Sequence, residues 1–355
     1  MLKYRAEIKK LPTYDVIERD WNIKINANEC NMNLPPIVEE RVMGRLSRLA
    51  FNRYPNTETE SLAEQLAAAY HVQRRNILLA NGSSEILEKM FFCFGGRNHK
   101  IVYPQPSFSM YKIYAELSNS ISIPFDLDEN YCLDAEKFVA TVNDNKAHLA
   151  VICAPNNPTG THIPLADIEY IAKNINCAFV VDEAYIEFDG RSAMEIWHKY
   201  PHMIIARTFS KAYGLAGARV GYMIADEKIT EITGKVFMPY HLNILSAVTA
   251  DIVYQMRHEY EPRIAMMRSE RDRIAEQLKK MSVIQVYPSA TNFVLMKYDK
   301  AVGLNEYLAN IGIGVRSFGD APRLKNCIRV SAGLREENDT FMKAVKDFVE
   351  THTEE

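Results

Sequence analysis

The sequence predicts a layered α/β protein, with a large domain on a mostly parallel sheet and a smaller C-terminal α/β domain. Three observations predict it. Three near-continuous apolar runs, HLAVICAP (148–155), CAFVVDEAY (177–185) and HMIIARTFS (202–210), lack the alternation of half-exposed strands. Such runs suit strands buried on both faces, as in a parallel sheet under helices. Between the first two, PLADIEYIAKNI (164–175) reads as a helix, which gives a βαβ series. Near residue 246 the pattern changes to a long charged helix and further short strands.

Taken in order, residues 1–35 read as an extended arm, rich in Asn and Pro around NANECNMNLPP (26–36). The large domain is expected over 36–245. There SLAEQLAAAY (61–70) is an amphipathic helix with Ser61 as its cap. NGSSEILEKMFFCF (81–94) opens on Gly-Ser-Ser and runs into a second apolar-periodic helix. KIVYPQP (100–106) is a short strand stopped by prolines. The small domain is expected over 246–355. It holds a helix at 263–281, strands at 291–298, 312–318 and 327–334, and a closing helix at 338–350.

Bulk composition narrows the function. With 355 residues, 47% apolar and 25% charged, the chain is globular and long enough for two cores. The formal charge is −3 and no Lys/Arg block stands out, which argues against nucleic acid and membrane as partners. The charged N-terminus has no apolar leader segment, and no apolar run nears the roughly 18 residues of a membrane span. Six scattered cysteines without a CxxC pair read as reduced thiols, so a cytoplasmic location is expected. Nine histidines without HxH spacing give no metal site.

In open α/β sheets, ligands bind beyond the carboxyl ends of the strands. The three apolar runs exit into APNNPTG (154–160), DEAY (182–185) and TFSK (208–211). Parallel strands would bring Asn157, Asp182, Tyr185, Thr208, Ser210 and Lys211 to one crevice, with Arg219 following. Singly, each has an ordinary reading: a Pro-Gly turn, a helix cap, a solvated lysine, a surface ion pair. Together they suit pyridoxal 5′-phosphate. A desolvated lysine attacks a carbonyl carbon, and an aspartate holds a protonated ring nitrogen. An amide and a phenol share the ring oxygen. The helix start at Gly82-Ser83-Ser84, with Thr208, Ser210 and Arg219, suits a phosphate dianion.

PNNPTG, DEAY and TFSKAYGLAGARVGY (208–222) stand in the order of the fold-type I pyridoxal-phosphate aminotransferases. The chain resembles that family over nearly its whole length, and within it the histidinol-phosphate aminotransferase group. The resemblance implies a three-layer fold-type I transferase. It implies that Lys211 bonds the cofactor aldehyde and moves the substrate proton, that Asp182 pairs with the ring nitrogen, and that Asn157 and Tyr185 hold the ring oxygen. Phe108 would stack on the ring. Ser83, Ser84, Thr208, Ser210 and Arg219 would hold the phosphate, joined by Tyr54 of a neighbouring subunit, hence a homodimer with shared active sites. Tyr14, Asn28, Arg316 and Arg329 would bind substrate.

The reaction so implied joins histidinol phosphate and 2-oxoglutarate. Transamination of aromatic or other amino acids, and decarboxylation of threonine phosphate, remain alternatives with the same cofactor. A dinucleotide oxidoreductase is disfavoured, because the glycines at 214, 217 and 221 do not form GxGxxG. One departure stands in the arm. Cys30 and Asn31 in NANECNMN replace the usual proline and aromatic, which is expected to alter substrate choice.

Overall fold

The computed structural model describes Ile8, residues 19–55 and residues 57–353. The strands are β1 (Ile23–Lys24), β2 (Ile77–Ala80), β3 (Lys100–Gln105), β4 (Ile121–Asp126), β5 (Leu149–Cys153), β6 (Ala178–Asp182), β7 (Met203–Thr208), β8 (Gly221–Ile224), β9 (Gln285–Val286), β10 (Phe293–Lys297), β11 (Ile313–Gly314), β12 (Arg316–Ser317) and β13 (Cys327–Ser331). The helices are α1 (Pro36–Leu46), α2 (Thr57–Tyr70), α3 (Ser83–Phe94), α4 (Met110–Leu117), α5 (Ala135–Asp144), α6 (Leu165–Asn174), α7 (Ile186–Asp189), α8 (Met194–Trp197), α9 (Glu227–Gly234), α10 (Ile244–Gln255), α11 (Glu261–Lys279), α12 (Ala301–Asn310) and α13 (Arg335–Thr353).

Seven strands form the central sheet in the order β2-β8-β7-β6-β5-β3-β4. Only β8 runs antiparallel to its neighbours. The three apolar runs become β5, β6 and β7 at its centre, every residue buried. Along β5, Ala150 and Ile152 enter the core on one face, while Leu149, Val151 and Cys153 enter the core on the other. This is why the runs show no alternation: both faces are covered, and each fully buried Ile, Val or Phe contributes about 1.5–3 kcal/mol. The outermost strand, β4, carries Pro124, where the missing N–H removes no ladder bond with an outer neighbour.

Several elements differ from the sequence reading. The first is α2, which begins at Thr57, so Ser61 is inside the helix and donates to Asp251 Oδ1 at 2.9 Å instead of capping. Helix α10 spans the expected boundary at 245/246, yet its Ala247, Val248 and Ile252 lie in the core shared with α1 and α2. Strands β2, β4 and β8 are too short or too broken in pattern to stand out. Finally, the single strand expected at 312–318 is two: β11 pairs in parallel with β1 of the arm, and β12 pairs with β13.

The second core lies around the four-stranded antiparallel sheet β12-β13-β10-β9 and helices α11 to α13. The arm's Ile25 is part of it. The arm is therefore stitched to the smaller sheet before the chain enters the larger one. No described helix is long and apolar enough to cross a membrane.

Candidate active site

Register places the polar exits of the central strands side by side. Cys153 is level with Asp182, and Asp182 with Ala206. Beyond them lies a cavity of about 340 Å³, closed on the far side by the arm and the second sheet. It is lined by Asn28, Ser83, Ser84, Phe108, Asn157, Asp182, Tyr185, Thr208, Ser210, Lys211, Arg219, Arg316 and Arg329. Tyr54 is not among them. It is 78% exposed and stacks on Tyr240, ring centres 4.6 Å apart. Tyr14 lies outside the described residues.

Lys211 follows β7 through a turn, and its Nζ donates to the Ala27 carbonyl at 3.1 Å. Its ammonium is pushed down to about 8, first by burial and then by the positive charges of Arg329 and Arg219. Asp182 is buried, and Tyr111 Oη donates to its Oδ2 at 2.8 Å. Burial lifts its carboxyl to about 6, against the pull of that hydrogen bond. Among the described residues it forms no ion pair, so the carboxylate suits a cationic ring nitrogen.

The hydrogen bonds leave the oxygen-binding groups oriented. Asn28 Nδ2 donates to Tyr185 Oη at 2.9 Å, which leaves the phenol proton to point into the cavity. Ser331 Oγ in turn donates to Asn28 Oδ1 at 3.1 Å. Arg329 Nη1 donates to Asn157 Oδ1 at 2.5 Å, so the amide NH2 of Asn157 is turned elsewhere. Arg329 Nη2 also donates to the Asn26 carbonyl at 2.9 Å.

At the other end, α3 starts at Ser83 after Gly82, with no side-chain cap on its first N–H groups. Such a helix start attracts an anion. The Arg219 guanidinium lies against Gly82: a Cβ there would sit 2.6 Å from Nη2. Arg219 Nη1 donates to Ser210 Oγ at 3.2 Å, and Thr208 Oγ1 donates to the same oxygen at 3.0 Å. Uncapped amides, one arginine and two hydroxyls form a dianion cradle, with the buried carboxylate beyond it. These residues fit pyridoxal 5′-phosphate.

Arg316 and Arg329 sit directly opposite each other on β12 and β13. Opposed residues of an antiparallel pair share a face, so both guanidinium groups belong to one wall. The sequence reading missed Tyr111 and Trp21. Tyr111 follows Phe108 by three residues, and a buried carboxylate at 182 calls for a donor without saying which. Trp21 has no motif; its ring packs over Gly314, where a Cβ would lie 2.7 Å away, and closes the cavity near Asn305 and Ala309. The arm's departure falls elsewhere than expected. Cys30 packs against Gly214, and Asn31 Nδ2 donates to Glu337 Oε2 at 2.5 Å; neither lines the cavity.

Residues 22–345 match the family described as aminotransferase class I and II. The chain belongs to the class I and II aminotransferases. It is a pyridoxal 5′-phosphate-dependent transaminase of fold type I, in keeping with the cavity. Histidinol-phosphate aminotransferases are among its relatives. That of Clostridium novyi is 36% identical over 97% of this chain and 96% of its own, and that of Pyrococcus furiosus is 36% identical over 97% of each. Among solved structures, the histidinol-phosphate aminotransferase of Sinorhizobium meliloti in complex with pyridoxal-5′-phosphate superposes with a TM-score of 0.89 at 23% identity, covering 99% of this chain and 98% of its own. A putative histidinol-phosphate aminotransferase of Erwinia carotovora atroseptica gives 0.85 at 26% identity, covering 93% and 96%.

Proposed function

We propose that this aminotransferase moves the amino group of histidinol phosphate to 2-oxoglutarate, giving imidazole-acetol phosphate and glutamate. The observation that carries the reading is the pair Arg316 and Arg329, level on adjacent strands at one wall of the cavity. Two forked guanidinium groups suit a phosphate dianion at one end of the donor. The names of the relatives support the same donor. When bound, the cofactor supplies an aldehyde for the amino group and a ring that draws off the electron pair left at the donor's Cα.

The chain's own residues do the rest. The Gly82–Ser84 amides, Thr208, Ser210 and Arg219 would hold the phosphate of the cofactor. Asp182 would pair with the ring nitrogen, while Tyr185 and Asn157 would donate to the ring oxygen. Phe108 would stack on the ring. Lys211 Nζ, neutral above a pH of about 8, takes the proton from the donor's Cα. Asn28 acts through Tyr185, whose lone proton it leaves free to donate. Arg329 serves 2-oxoglutarate and the phosphorylated donor alike; Arg316 serves the donor's phosphate.

The exposed stack of Tyr54 on Tyr240 is covered by a second copy, so that Tyr54 reaches the neighbouring site. All six cysteines are free, consistent with a reducing cytoplasm. The test is a donor panel of histidinol phosphate, phenylalanine, tyrosine and threonine phosphate with 2-oxoglutarate, following glutamate. Histidinol phosphate is expected to give the highest kcat/KM. Arg316→Gln should raise its KM about tenfold or more, while the half-reaction with glutamate alone changes less. A higher kcat/KM for phenylalanine or tyrosine, or carbon dioxide released from threonine phosphate, would replace the reading.

A further inference from the structure

We propose that Tyr111 is a positioning residue for the cofactor: its phenol holds the Asp182 carboxylate and its ring braces Phe108. One side chain then sets both the partner of the ring nitrogen and the partner of the ring face. The proposal rests on the cofactor fit above and not on the identity of the amino donor.

Three observations carry it. The Tyr111 side chain, on α4, is fully buried and donates to Asp182 Oδ2 at 2.8 Å. Its ring meets Phe108 edge-on, centres 5.6 Å apart at 88°. Its own position is fixed by Phe91, nearly parallel at 6.2 Å, and by Tyr103 at 6.0 Å. The phenol therefore cannot swing away without breaking an aromatic cluster. Among the described residues, the other oxygen of Asp182 has only the longer bond from the Ala184 N–H, at 3.3 Å.

A donor aimed at a buried carboxylate favours its ionised form, and such charge-assisted bonds are roughly twice as strong as neutral ones. With Tyr111 in place, Asp182 stays an anion and leaves the proton on the ring nitrogen. Without the hydroxyl, the carboxylate becomes more basic and draws that proton toward itself. A ring that has lost positive charge is a poorer acceptor for the Cα electron pair.

The titratable groups facing Asp182 are Tyr111 and Tyr114 from α4, Cys153 from β5, and Glu183 and Tyr185 from its own stretch. Burial holds the two α4 phenols, the thiol and the Tyr185 phenol above their usual ranges, and Glu183 is tied to Arg207 at 2.7 Å. A change in the ring's protonation on altering Tyr111 therefore reports Asp182.

The experiment uses holoenzyme carrying cofactor labelled with 15N in the ring, followed by NMR and by visible absorption against pH. Tyr111→Phe should move the nitrogen signal toward the unprotonated ring and shift the absorption transition upward by about half a pH unit or more. Its kcat should fall about tenfold, with the donor KM within about twofold. Site-specific 3-fluorotyrosine at position 111 keeps the ring and strengthens the donor, so it should shift the transition downward; this arm is independent of any folding defect in the phenylalanine variant. An unchanged nitrogen signal and transition, with only a lower melting temperature or lower activity, would reduce Tyr111 to packing and overturn the proposal. A wild type that takes up no cofactor would overturn the proposal and the cofactor fit together. A wild type that binds cofactor but ignores histidinol phosphate overturns only the donor assignment, and the spectral arms still decide Tyr111.

Discussion

Lys211 is the residue whose chemistry depends most on its surroundings. An exposed lysine keeps its proton to above pH 10 and has no lone pair for an aldehyde. Here burial and two arginines pull it down to about 8. Below that value Nζ is an ammonium, and above it a nucleophile. Capture of pyridoxal 5′-phosphate by the cofactor-free chain should therefore speed up with rising pH and level off above about 8, as read by stopped-flow absorbance. Arg329→Gln removes one of the charges and should move the plateau to higher pH; a plateau that stays put would show that Arg329 does not act on Lys211. Much of this site was legible in the sequence, because Asn157, Asp182, Tyr185, Lys211 and Arg219 fall in short blocks tied to strand ends. Tyr111 and Trp21 were not, since each acts by where its ring packs, and packing partners distant in the chain leave no local pattern.

Among the elements, the start of α3 and strand β8 are built against each other. A Cβ on Gly221 would meet the Ser83 nitrogen at 2.3 Å and the Gly82 carbonyl carbon at 2.4 Å, both backbone atoms. No side chain can turn aside there, so Gly221→Ala must push β8 and the phosphate-facing helix start apart. We expect a stability loss of about 3 kcal/mol and weakened cofactor binding, by urea denaturation and equilibrium dialysis. Gly217, in the same glycine-rich block, has nothing within 4 Å of its would-be Cβ. Gly217→Ala should change stability by less than about 1 kcal/mol, and an equal loss at both positions would mean the whole turn is constrained. The element pattern was read from the sequence where burial is uniform, as in β5 to β7. It was missed where length or context decides: β2 and β8 have four residues each, and α10 reads as the start of a new domain although its apolar faces pack on α1 and α2.

At the scale of the whole molecule, the arm and the second sheet close the cavity from one side, while Tyr54 stands outside it. A tyrosine 78% exposed and stacked on another, Tyr240, itself 58% exposed, gains little by itself in a lone chain. A second copy that covers this face would bury both rings and place Tyr54 at the neighbouring phosphate cradle. Each site would then draw Lys211 from one subunit and Tyr54 from the other. Tyr54→Ala and Lys211→Ala homodimers should each be nearly inactive. After unfolding and refolding in equal amounts, half the dimers are mixed, and each mixed dimer has one site with both residues intact. Random pairing thus restores about a quarter of the wild-type rate. Sedimentation of the mixture establishes the dimer, and the assay on donor and 2-oxoglutarate reads the recovered rate. If each subunit instead built its site alone, every site in the mixture would still lack one of the two residues, and no activity would return.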